Sequence, residues 1–285
     1  MEAEFEVTAE LVQSLLHEQH PDLSELEVTP LAHGWDNELF RLGDDLLLRF
    51  PRRSVAAPLI EIEQRWLPVL APTLPLPVPA PVRIGRPGCG YPWAWSVLPW
   101  LDGQSALHAP FDQHQVADDL AAFLNAMHRV APPDAPLNAF RGVPLQNRNE
   151  VVVERIALVA DRFDTDALAR SWGESLAAQR FTAPAQLLHG DVHPGNLLVS
   201  GGRLSAVIDF GDLCAGDPAT DFGVAWMLFD NDVRTYFLAA VGAGHDMWLR
   251  ARGWALTIAL AIAVTPGPTP LSAMAEQTIA NVLRS

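Results

Sequence analysis

The chain has 285 residues, of which 49% are hydrophobic, so it can bury a sizeable core as one large domain or two lobes. Its formal net charge is −15 and all 19 basic residues are arginine; such acidity repels a phosphate backbone and argues against nucleic acid as a partner, favours a cationic small molecule, and serves solubility. Cys89 and Cys214 are too few for a disulfide framework or a Cys-rich zinc site and fit a reducing cytoplasm, and the acidic start Met1–Glu6 is no secretory or organellar signal.

Residues 8–20 read as an amphipathic helix capped by Thr8, with Leu11, Leu15 and Leu16 on one face. Strand signals follow at 26–30, 39–42 and 46–50, the last two joined by a turn at Gly43-Asp44-Asp45. Residues 59–70 are helical in pattern. From Ala71 to Pro81 proline recurs at nearly every second position, which forces an extended segment. Strands resume at 82–84 and 93–98, and Trp93, Trp95 and Trp100 read as core. Trp100-Leu101-Asp102-Gly103 marks a boundary. Beyond it helices are expected at 113–130, 149–162, 165–178, 218–229, 231–240, 246–264 and 270–284. The apolar run from Trp254 to Val264 is too short to span a bilayer and reads as a buried helix, so no membrane association is expected. A β-rich first third before a helix-rich remainder is the α+β, two-lobed order, divided here into 1–100 and 101–285.

The most informative stretch is His189-Gly190-Asp191-Val192-His193-Pro194-Gly195-Asn196, followed by Ile208-Asp209-Phe210-Gly211. An Asp, an Asn five positions on, and a second Asp thirteen positions after that is the arrangement of a kinase-type phosphotransferase. Asp191 would take the proton of a substrate hydroxyl, and Asn196 and Asp209 would hold magnesium on the nucleotide phosphates. Between them, Leu197-Leu198-Val199 and the alternating Leu204, Ala206 and Ile208 flank Ser200-Gly201-Gly202-Arg203, a hairpin whose folding returns Asn196 and Asp209 to its open end. His189 and His193 read as braces of this loop, and Asp217 and Asp221 as the start of a helix. Asp230 and Asp232 read as a solvated turn.

These motifs resemble the aminoglycoside phosphotransferase family, small-molecule kinases of the protein-kinase-like fold. The resemblance rests on His-Gly-Asp-x-x-x-x-Asn and Ile-Asp-x-Gly, with Gly190 where protein kinases carry Arg, and runs over most of the chain. It implies transfer of the γ-phosphate of ATP or GTP, with Mg2+, to a hydroxyl of a small acceptor such as an aminoglycoside or macrolide. On that frame, Arg49 in strand 46–50 is the phosphate-gripping cation in place of lysine, with Arg52 and Arg53 as rivals exposed on a turn after Pro51. Its partner is Glu61 or Glu63, and Glu63 matches the family's Glu-x-x-Trp-Leu-Pro stretch. Gly34, in Ala32-His33-Gly34-Trp35-Asp36-Asn37-Glu38, stands in a reduced phosphate loop. Pro99, through its carbonyl, and Leu101, through its N–H, resemble the adenine-binding hinge.

Two other readings compete. A non-catalytic nucleotide-binding protein of this shape would explain the missing lysine. A metal-dependent hydrolase would use His189, Asp191 and His193 as ligands. The sequence does not separate a monomer from a homodimer.

Overall fold

The computed structural model describes residues 3–33 and 36–285. The chain forms two compact units, Met1–Asp102 with Asp209–Gly211, and Gly103–Ile208 with Asp212–Ser285. The short second piece of the first unit is a grouping that no linear boundary near residue 100 describes.

The first unit opens with helix α1 (Ala9–Gln19), where the Thr8 side chain accepts from the Leu11 N–H. Strands β1 (Val28–His33), β2 (Asn37–Leu42) and β3 (Leu46–Pro51) follow. Helix α2 (Ala57–Leu70) precedes β4 (Arg83–Gly85) and β5 (Trp95–Pro99). The five strands pair antiparallel in the order β1-β2-β3-β5-β4. Alternation sorts the side chains to two faces. Phe40, Leu42, Leu48, Phe50, Trp95 and Val97 pack with Val12, Leu15 and Leu16 of α1 in one buried core. Phe50 stacks on Trp95 with ring centroids 4.9 Å apart. Arg49, one position out of phase, is cross-strand from Ser96 on the other face, where Gln64 of α2 donates to Ser96 Oγ at 3.1 Å. Trp95 is fully buried, but Trp100 is not core: the Arg41 guanidinium lies 3.5 Å over its ring.

The second unit is mostly helical. Strand β6 (Gln104–Ser105) precedes α3 (Gln113–Met127), α4 (Asn149–Leu158) and α5 (Thr165–Ala177). Strand β7 (Gln186–Leu188) then leads to the hairpin of β8 (Leu197–Ser200) and β9 (Arg203–Val207). Ser200 pairs with Arg203 across a two-residue turn, and Gly201 and Gly202 hold φ of +58° and +82°, a conformation that favours glycine. Strand β10 (Cys214–Gly216) pairs with β7. Neither three-residue strand carries an alternation long enough to be read from sequence.

The continuous helix expected at 218–229 is instead two single turns, α6 (Ala219–Phe222) and α7 (Ala225–Leu228), parted at Gly223. Helices α8 (Asn231–Ala240), α9 (His245–Ala263) and α10 (Ser272–Leu283) complete the chain. Helix α9 is buried on every side from Arg250 to Leu260, and its two buried cations are paired. Arg250 donates to Asp217 at 2.6 Å, and Arg252 to Glu174 at 2.6 Å. No helix among the described residues is long and apolar enough to cross a membrane.

The Phe50–Trp95 stack anchors the first unit's core. Phe50→Ala should destabilise by about 3–5 kcal/mol in a chemical-denaturation titration, through lost burial and a residual cavity.

Candidate functional site

In the first unit, helix α2 buries Ile60, Glu63, Trp66, Leu67 and Leu70. Glu63 thus stands where the helical period calls for an apolar residue, and a carboxylate there requires a partner. Arg49 Nη1 supplies it, donating to Oε1 at 2.8 Å and Oε2 at 2.9 Å. Arg49 Nη2 donates to Asp209 Oδ1 at 2.9 Å. With its amide oxygen turned to the guanidinium, Asn37 accepts from Nη2 at 3.0 Å and from Nε at 3.2 Å. The Phe210 N–H closes the cluster on Glu63 Oε1 at 2.8 Å. Burial disfavours the guanidinium charge, but the Glu63 and Asp209 carboxylates outweigh it and raise the Arg49 pKa. Burial likewise pushes the Glu63 pKa up, against the pull of Arg49. Two carboxylates share one guanidinium, and the half-exposed one is Asp209, its side chain 51% accessible. Asp209 also holds φ of +63°, a left-handed backbone that is uncommon away from glycine.

Other residues of the first unit sort differently. Glu61 is exposed. Arg52 and Arg53 are not the exposed turn residues expected, because they pair with Glu38 at 3.5 Å and Asp36 at 2.8 Å. Gly34 and Trp35 lie outside the described residues. The Trp100 N–H donates to the Asp45 carbonyl at 2.7 Å. Because the Pro99 C=O is anti to that N–H in a planar trans peptide, it points away from β3 and is free of that ladder. Leu101 follows β5 outside any strand and is half-buried.

In the second unit, the loop after β7 is held from beneath by Asp221. Its buried carboxylate accepts from the His189 N–H at 2.9 Å and the Gly190 N–H at 2.8 Å, and His128 Nε2 lies 2.9 Å away. Burial alone would raise the Asp221 pKa; His128, His189 and the Gly190 N–H lower it below its ordinary 3.8. Gly190 has φ of +89°, and a Cβ there would stand 2.1 Å from the Asp212 carbonyl oxygen. Only glycine fits, which accounts for the residue that separates this loop from the protein-kinase version.

The loop's imidazoles are fixed by their partners. His189 Nδ1 accepts from the Asp191 N–H at 3.2 Å, so Nε2 carries the hydrogen and donates to the Ile208 carbonyl at 3.0 Å. Both ring nitrogens are used, which leaves none for a zinc ion, and no group of three ligand-type side chains gathers among the described residues. His193 Nδ1 accepts from the Gly195 N–H at 3.0 Å, which turns Nε2–H toward Asp191 Oδ2, 3.6 Å away. His193-Pro194-Gly195, expected as loop, leads into a single 3-10 turn at Pro194–Asn196.

Asp191 Oδ1 accepts from Arg141 Nη2 at 2.8 Å. Burial would raise its pKa, yet His193 and the Arg141 guanidinium hold it well below the usual carboxylate range. Asp191 is therefore held in its charged form, and a charged carboxylate can accept a hydrogen bond from a hydroxyl. The Ile208 N–H donates to the Asn196 carbonyl at 2.9 Å at the open end of the hairpin, and Asp209 is the next residue in the chain. Asn196 Nδ2 donates to the Asp191 carbonyl at 3.0 Å, so its Oδ1 takes no part in that bond. An amide oxygen and a carboxylate oxygen are each hard donors of the kind magnesium takes.

Three contributors carry no signal in the sequence. Arg141 lies in an irregular loop fifty positions before its partner Asp191. Asn37 acts through a cross-strand neighbour. Asp221, expected only to favour the first turn of a helix, instead anchors the catalytic loop. Asp230 and Asp232 are exposed, as expected, and Asp230 also caps α8, accepting from the Asp232 and Val233 N–H groups.

Asp221→Ala should cost about 3–5 kcal/mol, because it strands two loop N–H groups and a buried imidazole. The folded-state pKa of Asp221 is lowered, so its contribution is present above about pH 3.8 and is lost as pH falls through the lowered value. The stability gap between wild type and variant, measured by denaturation at pH 7 and in acid, should narrow below pH 4.

The family model described as the phosphotransferase enzyme family matches residues 27–254. An aminoglycoside 3'-phosphotransferase of Salmonella typhimurium is 27% identical over 145 residues, which are 47% of this chain and 52% of the relative. One from Escherichia coli is 26% identical over 145 residues. The chain thus spans about half the length of the curated relatives it matches. The structure of the GDP complex of aminoglycoside 2'-phosphotransferase-IIIa superposes with a TM-score of 0.73 at 21% identity, covering 96% of this chain and 98% of the other. A macrolide 2'-phosphotransferase from Brachybacterium faecium gives 0.64 at 21%, covering 96% and 97%. These superpositions give the fold, the α+β, protein-kinase-like one expected. The chain belongs to the phosphotransferase enzyme family.

Proposed function

We propose that the protein transfers the γ-phosphate of ATP or GTP to a hydroxyl of a small molecule. The observation that carries this reading is the Arg49 guanidinium held between buried Glu63 and half-exposed Asp209. It supplies the lysine–glutamate pair of a kinase in a chain that has no lysine. Arg49 would grip the phosphates, Gly34 would belong to a reduced phosphate loop, and Pro99 and Leu101 would meet the base edge. Asn196 Oδ1 and the Asp209 carboxylate would hold Mg2+, which when bound neutralises phosphate charge. Asp191 accepts the hydrogen bond of the acceptor hydroxyl. As the acceptor oxygen bonds to phosphorus, the bond to the nucleoside diphosphate breaks and the hydroxyl proton passes to Asp191 and on to solvent.

Solved structures of related fold include complexes with GDP, ADP, kanamycin, gentamicin and streptomycin. They support a nucleotide and a small hydroxylated acceptor here, in the aminoglycoside or macrolide class as the leading candidates. The chain-wide negative charge favours a cationic molecule in solution. The two cysteines, unpaired with each other, agree with a cytoplasmic setting. A non-catalytic binding protein is the weaker reading, since Asp191 is not needed to hold a nucleotide and yet is fixed by Arg141 and faced by His193.

An acceptor panel containing kanamycin, a macrolide, choline, homoserine and simple sugars, assayed with ATP and with GTP, tests the proposal. At least one pair should yield phosphorylated acceptor, and Asp191→Ala should lower that turnover by about 100-fold or more. Equal turnover in the variant would remove Asp191 from the chemistry.

A further inference from the structure

Beside Asp191 the charge runs against the rest of the chain. Arg141, Arg148 and Arg155 are spaced at intervals of seven. Arg148 ends a 3-10 turn directly before α4, and Arg155 lies two helical turns further on, so the two share a face. The Arg148 guanidinium stands 5.3 Å over the ring of Phe140, the residue next to Arg141.

Only Arg141 is neutralised, by Asp191 at 2.8 Å and Asp212 at 3.8 Å. Among the described residues neither Arg148 nor Arg155 forms an ion pair, and Arg148 Nε is buried without a hydrogen-bond partner. Burial lowers the pKa of both, and each is lowered further by neighbouring arginines. Exposed Glu154 acts on Arg155 without outweighing them. A chain with 34 carboxylates has left two half-buried guanidiniums unpaired next to its catalytic loop. Unsatisfied buried donors of this kind call for a partner, and a guanidinium fork matches carboxylate and phosphate oxygens.

We infer that Arg148 and Arg155 form, alongside Arg141, an anion site that takes a carboxylate or phosphate group of the acceptor. The inference rests on reading Asp191 as the group that orients the acceptor hydroxyl, since that reading places the site beside the bound molecule. Arg141 is then shared: it holds Asp191 in place and completes the positive wall on which the acceptor's anionic group seats. An acceptor with both a hydroxyl and an anionic group would be drawn by the arginines and aligned by Asp191.

The test is an NMR or calorimetric titration of the nucleotide-free full chain with glycerol 3-phosphate, D-glycerate and glycerol. At least one anion should bind saturably and glycerol should not; which anion binds separates phosphate from carboxylate. The double variant Arg148→Gln/Arg155→Gln should weaken that binding by about tenfold or more, whereas exposed Arg180→Gln should leave it unchanged. Should the double variant fail to fold, Arg155→Gln alone should still weaken the anion. The inference is overturned if neither anion binds, if the variants bind like wild type, or if Arg49→Gln alone abolishes binding, which would assign the anion to the phosphate grip. Because no nucleotide is present, these outcomes are independent of whether phosphate transfer is found.

Discussion

The Arg49 guanidinium is the interaction on which the first unit's chemistry depends. It projects from β3 and meets a glutamate embedded in the apolar stripe of α2. Two charges so buried are stable only as a pair, because removing either would leave the other unneutralised in the interior. The guanidinium has donors left over, and these fix Asn37 and Asp209. Asp209, 160 residues away in sequence, is thereby fastened to the first unit in a left-handed backbone conformation. One arginine thus fixes both the buried Glu63 and the half-exposed Asp209, the two carboxylates on which the proposed nucleotide site depends.

The second unit solves a parallel problem with an anion. Asp221 gathers the amide hydrogens of His189 and Gly190, which frees Gly190 to take the conformation that passes beneath the Asp212 carbonyl. His189 then spans from the Asp191 N–H to the Ile208 carbonyl, tying the catalytic loop to the last residue of the hairpin. Asp191 projects from a backbone that is braced on both sides. Its carboxylate is kept charged by Arg141 and His193, which suits the proposed role of orienting a hydroxyl. This agrees with phosphate transfer through a loose transition state, in which the acceptor proton moves late.

Much of this was legible in the sequence because the decisive signals are local. The Gly-Gly turn between two short apolar runs gives the β8–β9 hairpin, and the Asp-Asn-Asp spacing marks its open end. Glu63 could be singled out by its match to the family's Glu-x-x-Trp-Leu-Pro stretch, whereas its place in the buried stripe of α2 came only with the structure. Contacts between distant segments were not legible. Asp221 looks like an ordinary first-turn acid until its partners in β7's loop are known, and Arg141 has no local pattern. Arg52 and Arg53 seemed exposed because their acidic partners belong to the neighbouring strand connection. The division of 218–229 into two turns follows from packing against α9, where a Cβ on Gly223 would stand 3.0 Å from the Ala255 nitrogen.

The central claim is that Asp209, presented by Arg49, is a magnesium ligand for a bound nucleotide. Calorimetric titration of a non-hydrolysable ATP or GTP analogue, with and without Mg2+, measures this without requiring the acceptor. Mg2+ should tighten binding to the wild type by about tenfold or more, and Asp209→Asn should lose most of that enhancement. An enhancement of equal size in the variant would contradict the account.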